Sequence, residues 1–290
     1  MFISGFTIIR NAVENDYPVV EAIRSILPVV DEMIVLVGDS TDQTEALIRA
    51  IGSDKIKIHH SVWDMSLRSG GRVLAVETDK AAALISKESD WAFYIQADEV
   101  IHEQYHGAIL QACRDHLSDK RVDGLLFDYV HFYGTYDYVG DSRKWYHKEV
   151  RIIRNDRTIS AYKDAQGFRR NGKPIRVKPI NASVYHYGWV KSPEQMMKQQ
   201  KNVSPYWLND EEMKRVLAVP DAWDFEAYDS LEKFSGTHPQ VMQDRIQHKN
   251  WQLELDVTRK KFSLKDRLLY YFEKMTGIRP FDFRNYRIIP

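Results

Sequence analysis

The segment Gln96-Ala97-Asp98-Glu99 follows directly on an apolar run, Trp91 to Ile95. Two neighbouring carboxylates at the end of a buried strand repel, and burial raises the cost of ionising them. A divalent cation would remove that cost and would recruit a diphosphate. The same pair would also suit a helix N-terminus, where the dipole favours Asp and Glu. The residues alone leave both readings open. A second polar cluster, Gly38-Asp39-Ser40-Thr41-Asp42-Gln43-Thr44, follows the apolar run Met33 to Val37. Ser40 or Thr41 is the expected cap of the next helix. Asp39 and Asp42 can accept hydrogen bonds from a nucleobase or ribose as well.

A third pattern is His102-Glu103-Gln104-Tyr105-His106, a literal His-Glu-X-X-His. On a helix it would put two imidazoles on one face for zinc, with the Glu as base, which makes a zinc metallopeptidase the competing hypothesis. No extended metzincin pattern follows His106, and the motif begins just after a strand, so a solvated helix start is the preferred reading. There is no Gly-X-X-X-X-Gly-Lys loop, no Gly-X-Gly-X-X-Gly after the first strand and no Gly-X-Ser-X-Gly elbow. Cys113 falls in a predicted helix and reads as packed, not nucleophilic.

The elements that must position these groups alternate. Phe2–Ile9, Met33–Val37, Ile56–Ile58 and Trp91–Ile95 read as strands. Helices over Tyr17–Leu27, after Ser40/Thr41, and over Arg72–Ser86 separate them, and Gly52 stops the second. This order predicts a parallel α/β sheet covered on both faces, with ligands at the carboxyl ends of its strands. Arg10 and Asn11 lie at the first such end, Asp39 and Asp42 at the second, Gln96 and Asp98 at the fourth. Beyond residue 120, Leu125–Tyr129, Val150–Ile153 and Val184–Tyr187 read as strands. A polar, aromatic loop, His131 to Lys148, separates the first two.

The 290 residues carry 41 Lys plus Arg against 41 Asp plus Glu, so the chain lacks the basic excess of a general nucleic-acid binder. One cysteine excludes an intramolecular disulfide and a Cys-cluster zinc site. No apolar stretch is long enough to span a membrane. Met1 to Arg10 reads as a first strand and not a signal peptide, so a cytoplasmic protein is expected.

On the blocks Phe6–Asn15, Gly38–Thr44 and Gln96–Glu99, the N-terminal half resembles the large inverting glycosyltransferase family with the GT-A fold, often called family 2. The run to about Met197 is similar to a bacterial subgroup of polysaccharide and lipopolysaccharide glycosyltransferases. That similarity rests on Tyr94–Val100, Phe127–Gly134, Asp164–Arg169 and Tyr185-His186-Tyr187-Gly188-Trp189. The resemblance implies a GT-A-like mixed α/β sheet flanked by helices, a nucleotide-sugar donor, and a glycan or lipid-linked acceptor. It implies Mn²⁺ or Mg²⁺ held by Asp98 and His186, and Asp164 as general base with Glu149 as the alternative. Arg151, Arg154, Arg169 and Arg170 could bind a phosphate or an acidic sugar, and Arg169 ranks first because it lies close to Asp164 in sequence. Two positions depart from the family. Val37-Gly38 stands where an acidic pair usually contacts the base, and Gln96 replaces the first Asp of the Asp-X-Asp motif, bringing no charge to a cation. A non-catalytic nucleotide-sugar-binding module is a further alternative.

The expected organisation is a core over 1–192, with a donor half (1–120) and an acceptor-side half (121–192), and a mostly helical C-terminal extension over 193–290. Within that extension Lys261–Met275 is basic and amphipathic. It could touch an anionic membrane at the inner face. The preferred reading packs its apolar side on the core and leaves its basic side in water.

Overall fold

Strand β1 (Ile3–Ile9) is buried along its whole length, as a central parallel strand must be. Helix α1 (Val19–Ile26) buries Val19, Ala22, Ile23 and Ile26, the i, i+3, i+4, i+7 face, against it. The chain continues through β2 (Glu32–Val37), α2 (Thr44–Arg49), β3 (Ile56–His60), α3 (Arg72–Ala83), β4 (Trp91–Tyr94), β5 (Glu99–Ile101) and α4 (His106–Asp115). There follow β6 (Gly124–Tyr133), β7 (Thr135–Gly140), β8 (Lys148–Arg154), β9 (Ile159–Tyr162), β10 (Gly167–Arg170) and β11 (Lys173–Trp189). The C-terminal part holds α5 (Pro193–Val203), α6 (Asp210–Leu217), β12 (Leu231–Lys233), α7 (Gln243–Gln247), α8 (Leu264–Thr276) and β13 (Tyr286–Ile288). The computed structural model describes residues 1–67, 69–218 and 221–290.

One mixed sheet runs β3-β2-β1-β4-β8-β6-β11-β10-β9. The first four strands pair in parallel, as expected; β8 is antiparallel to both β4 and β6, and β6 is parallel to β11. Two apolar cores lie on opposite faces, one with α1 and α4, the other with α3. Cys113 is fully buried in the first, and burial pushes its thiol up to about 12. This is the GT-A-like architecture of mixed sheet and flanking helices.

Several local expectations are corrected. Ser40 and Thr41 do not cap α2. The Ser40 hydroxyl accepts from Asn11 N–H, and Thr41 N–H donates to Asn11 Oδ1, which ties the β2 exit to the β1 exit. The loop placed at His131–Lys148 is largely strand, because β6 runs on to Tyr133 and turns back as β7. Strand β11 is far longer than Val184–Tyr187 and is not the last. The C-terminal part adds β12 beside β7 and β13 beside β11, so helices, irregular chain and two sheet strands share it. Helix α8 is turned opposite to the preferred reading. Tyr270 is its buried residue, while Leu264, Leu268 and Met275 are 82%, 75% and 80% exposed.

Candidate active site

The strand ends converge on a cleft of about 630 Å³. Of the residues singled out in the sequence, Arg10, Gln96, Asp98, Glu149, Asp164 and His186 line it. Asp39 stands behind Arg10, its carboxylate 2.9 Å from the guanidinium. Asn11, Asp42 and Arg169 are outside the lining. Asp42 accepts from the N–H groups of Glu14 and Thr44, and Arg169 stacks 4.2 Å over the Tyr162 ring.

The acidic pair solves its repulsion in a way neither sequence reading contained. Asp98 and Glu99 diverge. Glu99 opens β5 and is buried against Arg151, which donates from Nε and Nη2 at 2.8 and 2.5 Å. Tyr129 Oη donates to it at 2.5 Å. Asp98 faces the cleft. The antiparallel pairing of β5 with β11 sets His186 opposite Glu99, and Tyr187 N–H donates to the Asp98 carbonyl. This register brings His186 Nε2 to 3.4 Å from Asp98 Oδ2.

The orientation of His186 follows from its neighbour. His131 Nε2 lies 2.9 Å from the Tyr146 carbonyl, which can only accept, so it carries a proton. Burial, with His186 adding, holds His131 well below the usual imidazole range, so its Nδ1 is bare. That atom is 3.3 Å from His186 Nδ1, which therefore donates and leaves Nε2 turned to Asp98. Burial alone would raise the Asp98 carboxyl, but His186 and Lys191 outweigh it and the net shift is downward. At this distance the imidazole nitrogen and the carboxylate oxygen can share a proton or a cation. Gly188 leaves the room: a Cβ there would lie 2.6 Å from Asp98 Oδ2 and 2.7 Å from His186 Nε2. Among the described residues no three His, Cys, Asp or Glu converge, so Asp98 and His186 would leave most of a cation's coordination to a ligand.

Asp164 projects from the β9–β10 hairpin between Lys163 (φ +55°) and Ala165 (φ +63°). Left-handed backbone is costly for both, and such strain concentrates where a side chain must be aimed. Its carboxylate accepts from Gln166 Nε2 at 3.1 Å and Trp207 Nε1 at 3.3 Å. Glu149 lies deeper. Burial pushes its carboxyl up to about 8, with Arg151 opposing and Glu99 adding. It therefore keeps its proton at neutral pH.

The Glu149 shift carries a stability prediction. The folded carboxyl binds its proton more tightly than the unfolded one. The contribution is full below the unfolded value near 4.5 and is lost as pH rises through about 8. Glu149→Gln, which keeps the shape without the ionisation, should raise stability at pH 9 by on the order of a few kcal/mol. At pH 4 it should change little. Parallel melting-temperature curves for the two proteins from pH 4 to 9 would refute this.

Residues with no motif complete the site. Trp63 fills the space in front of Gly38, where a Cβ would meet its Nε1 at 2.5 Å. Tyr17, Gln199, Tyr206 and Trp207 line the cleft as well, the Tyr206 ring 5.1 Å from that of Trp63. The buried Arg10 Nε, Trp63 Nε1, Glu149 Oε2 and Gln199 Oε1 have no hydrogen-bond partner. The His-Glu-X-X-His segment is elsewhere, and the zinc reading fails on geometry. His102 accepts from Gln104 N–H and bonds Thr237, and His106 Nε2 donates to the Ser25 carbonyl. The two imidazoles are committed to different partners.

No protein-family model and no curated protein matches the chain. Among solved structures the chain is similar to Staphylococcus aureus TarS 1-349 in complex with UDP-GlcNAc, at 16% identity over 75% of this chain and 71% of that one, with a TM-score of 0.40. It is similar to Mycobacterium tuberculosis glucosyl-3-phosphoglycerate synthase in complex with Mn²⁺, UDP and phosphoglyceric acid, at 20% identity and a TM-score of 0.30. That match covers 45% of this chain and 43% of the synthase. The class defined by strand order and cleft position is a GT-A-like α/β protein.

Proposed function

We propose that the protein is a glycosyltransferase that moves a sugar from a nucleotide-sugar donor to a hydroxyl of a glycan or lipid-linked acceptor. Inversion at the anomeric carbon and a place in bacterial surface polysaccharide synthesis, at the cytoplasmic side of the membrane, belong to the same proposal. One observation carries the reading. Four unpartnered buried polar atoms, on Arg10, Trp63, Glu149 and Gln199, line the cleft that also holds Asp98 and His186, where a polar ligand could meet them.

In this reading residues 1–120 bind the donor, 121–192 form the acceptor side, and 193–290 close the cleft with Gln199, Tyr206 and Phe283. Asp98 and His186 would hold a divalent cation, Mn²⁺ suiting the nitrogen–oxygen pair better than Mg²⁺. When bound, it supplies positive charge against the diphosphate that leaves. Arg10, positioned by Asp39, faces the donor, and Trp63 offers it a ring face and an indole N–H. Asp164 removes the proton of the acceptor hydroxyl, held in aim by Trp207 and Gln166. Glu149, protonated at neutral pH, donates a hydrogen bond and does not serve as base there.

Asp164→Asn tests the assignment. Transfer should slow by about 10²–10⁴-fold, while calorimetry shows donor affinity unchanged. An unaltered rate would remove Asp164 from the chemistry. Thermal-shift screening of nucleotide sugars with and without Mn²⁺ tests the class: no stabilisation by any donor would sink it. Binding without turnover would make the protein a non-catalytic module.

A further inference from the structure

Helix α8 is attached by its polar side. Tyr270 Oη donates to Asp141 at 2.5 Å, Lys274 pairs with Asp141 at 2.7 Å, and Glu273 pairs with Arg143 at 2.6 Å. These bonds fix the rotation of the helix and leave Leu264, Leu268, Tyr271, Phe272 and Met275 in solvent. The spacing i, i+4, i+7, i+8, i+11 makes them one stripe. The turn that follows extends it with Ile278, Phe281 and Phe283, which are 60%, 89% and 69% exposed. A run of exposed apolar side chains on this scale marks an interaction surface.

Charge selects the partner. In a chain of zero net charge, residues 260–290 carry eight Lys or Arg against three Asp or Glu. The three acids are engaged within the segment or its anchor: Asp266 with Ser263, Glu273 with Arg143 and Arg279, Asp282 with Arg279. Lys261, Lys265, Arg267, Arg284 and Arg287 are exposed. An apolar stripe framed by cations matches a bilayer with anionic headgroups. A second copy of this chain would bring the same positive charges face to face. Phe283 belongs both to this surface and to the cleft lining, and Lys163, next to Asp164, lies 5.8 Å from its ring. A bilayer on this face therefore borders the acceptor mouth.

We propose that α8 and the 278–283 turn dock the protein on an anionic lipid bilayer, presenting the cleft to an acceptor held in that membrane. The proposal deepens the glycosyltransferase reading and rests on it for the acceptor, though the docking itself needs neither donor nor cation. The test is co-sedimentation of the full chain with phosphatidylcholine vesicles, with and without about one-third phosphatidylglycerol. Wild-type protein should bind the anionic vesicles, and Leu268→Glu with Met275→Glu should weaken that binding at least about tenfold. Added salt should weaken it too. Equal binding of the variant, or no wild-type binding to either vesicle, overturns the proposal. So does a wild-type dimer in light scattering that the variant loses, since the face would then join two copies. Stabilisation by nucleotide sugars in solution should be the same in both proteins. If it is absent from both while vesicles still bind, the donor reading fails and the docking stands.

Discussion

Asp98→Ala should reduce turnover of any nucleotide-sugar donor by at least about 10²–10³-fold, because a cation held only by His186 is poorly placed against the diphosphate. The fold should survive. What β5 and β11 take from this residue is its backbone, through the Tyr187 N–H bond to the Asp98 carbonyl, and alanine keeps it. The variant does give up the attraction of His186 and Lys191 for this carboxylate, so a modest fall in melting temperature is expected without loss of the fold. Gly188→Ala is the companion measurement. It leaves both proposed ligands intact but fills the space between them, with a Cβ at 2.6 Å from Asp98 Oδ2. Both variants should lose the Mn²⁺-dependent part of donor affinity measured by calorimetry. Full activity in Asp98→Ala, or unchanged Mn²⁺ dependence in both, would exclude the assigned cation site.

The first four strands and the helices between them were legible because their signals are local. Continuous apolar runs and i, i+3, i+4 stripes follow directly from burial on both faces of a parallel sheet. The cleft's place was legible for the same reason, since polar groups directly after such runs lie at the carboxyl edge, as Arg10, Gln96 and Asp98 do. What makes those residues a site was not legible. Glu99 is neutralised by Arg151, 52 positions away, and His186 reaches Asp98 through a three-residue strand no propensity would mark. Trp63, Gln199 and Tyr206 arrive from three separate elements and share no motif.

Short polar side chains misled in a consistent way. Asn11 and Asp42 look like ligand contacts because their types suit a ribose or a base, and Ser40 and Thr41 look like caps. In the fold Asn11 bonds Ser40 and Thr41, Asp42 accepts from the N–H groups of Glu14 and Thr44, and these bonds hold the β1 and β2 exits together. Asp42 is lowered as a result, its bonds to Thr44 and Glu14 outweighing the burial that would raise it. Asn and Asp satisfy nearby N–H groups as readily as they satisfy a ligand, and sequence spacing does not separate the two uses. Helix α8 misled for a different reason. Amphipathicity gives the width of an apolar face but not its direction. The buried Asp141, 129 residues before Tyr270, turned the helix polar side inward.

Arg151→Met should lower stability by about 3–5 kcal/mol, the cost of leaving a buried carboxylate without its partner. The two side chains are 1% and 0% exposed, so solvent cannot replace the lost guanidinium. Glu99 would keep only the Tyr129 hydroxyl and the Gln96 N–H. The double variant Arg151→Met with Glu99→Gln should recover most of the loss, because a neutral amide no longer carries charge into the core. Urea denaturation of the four proteins in the cycle measures this, and a single variant within about 1 kcal/mol of wild type would show the pair to be dispensable. The effect should also reach the site. Glu99 sets the β5–β11 register that brings His186 to Asp98. Donor affinity should therefore fall in Arg151→Met even at temperatures where the protein remains folded, and return in part in the double variant. Stability and binding would then move together through a buried ion pair, which makes Arg151 and Glu99 positioning residues for the cleft.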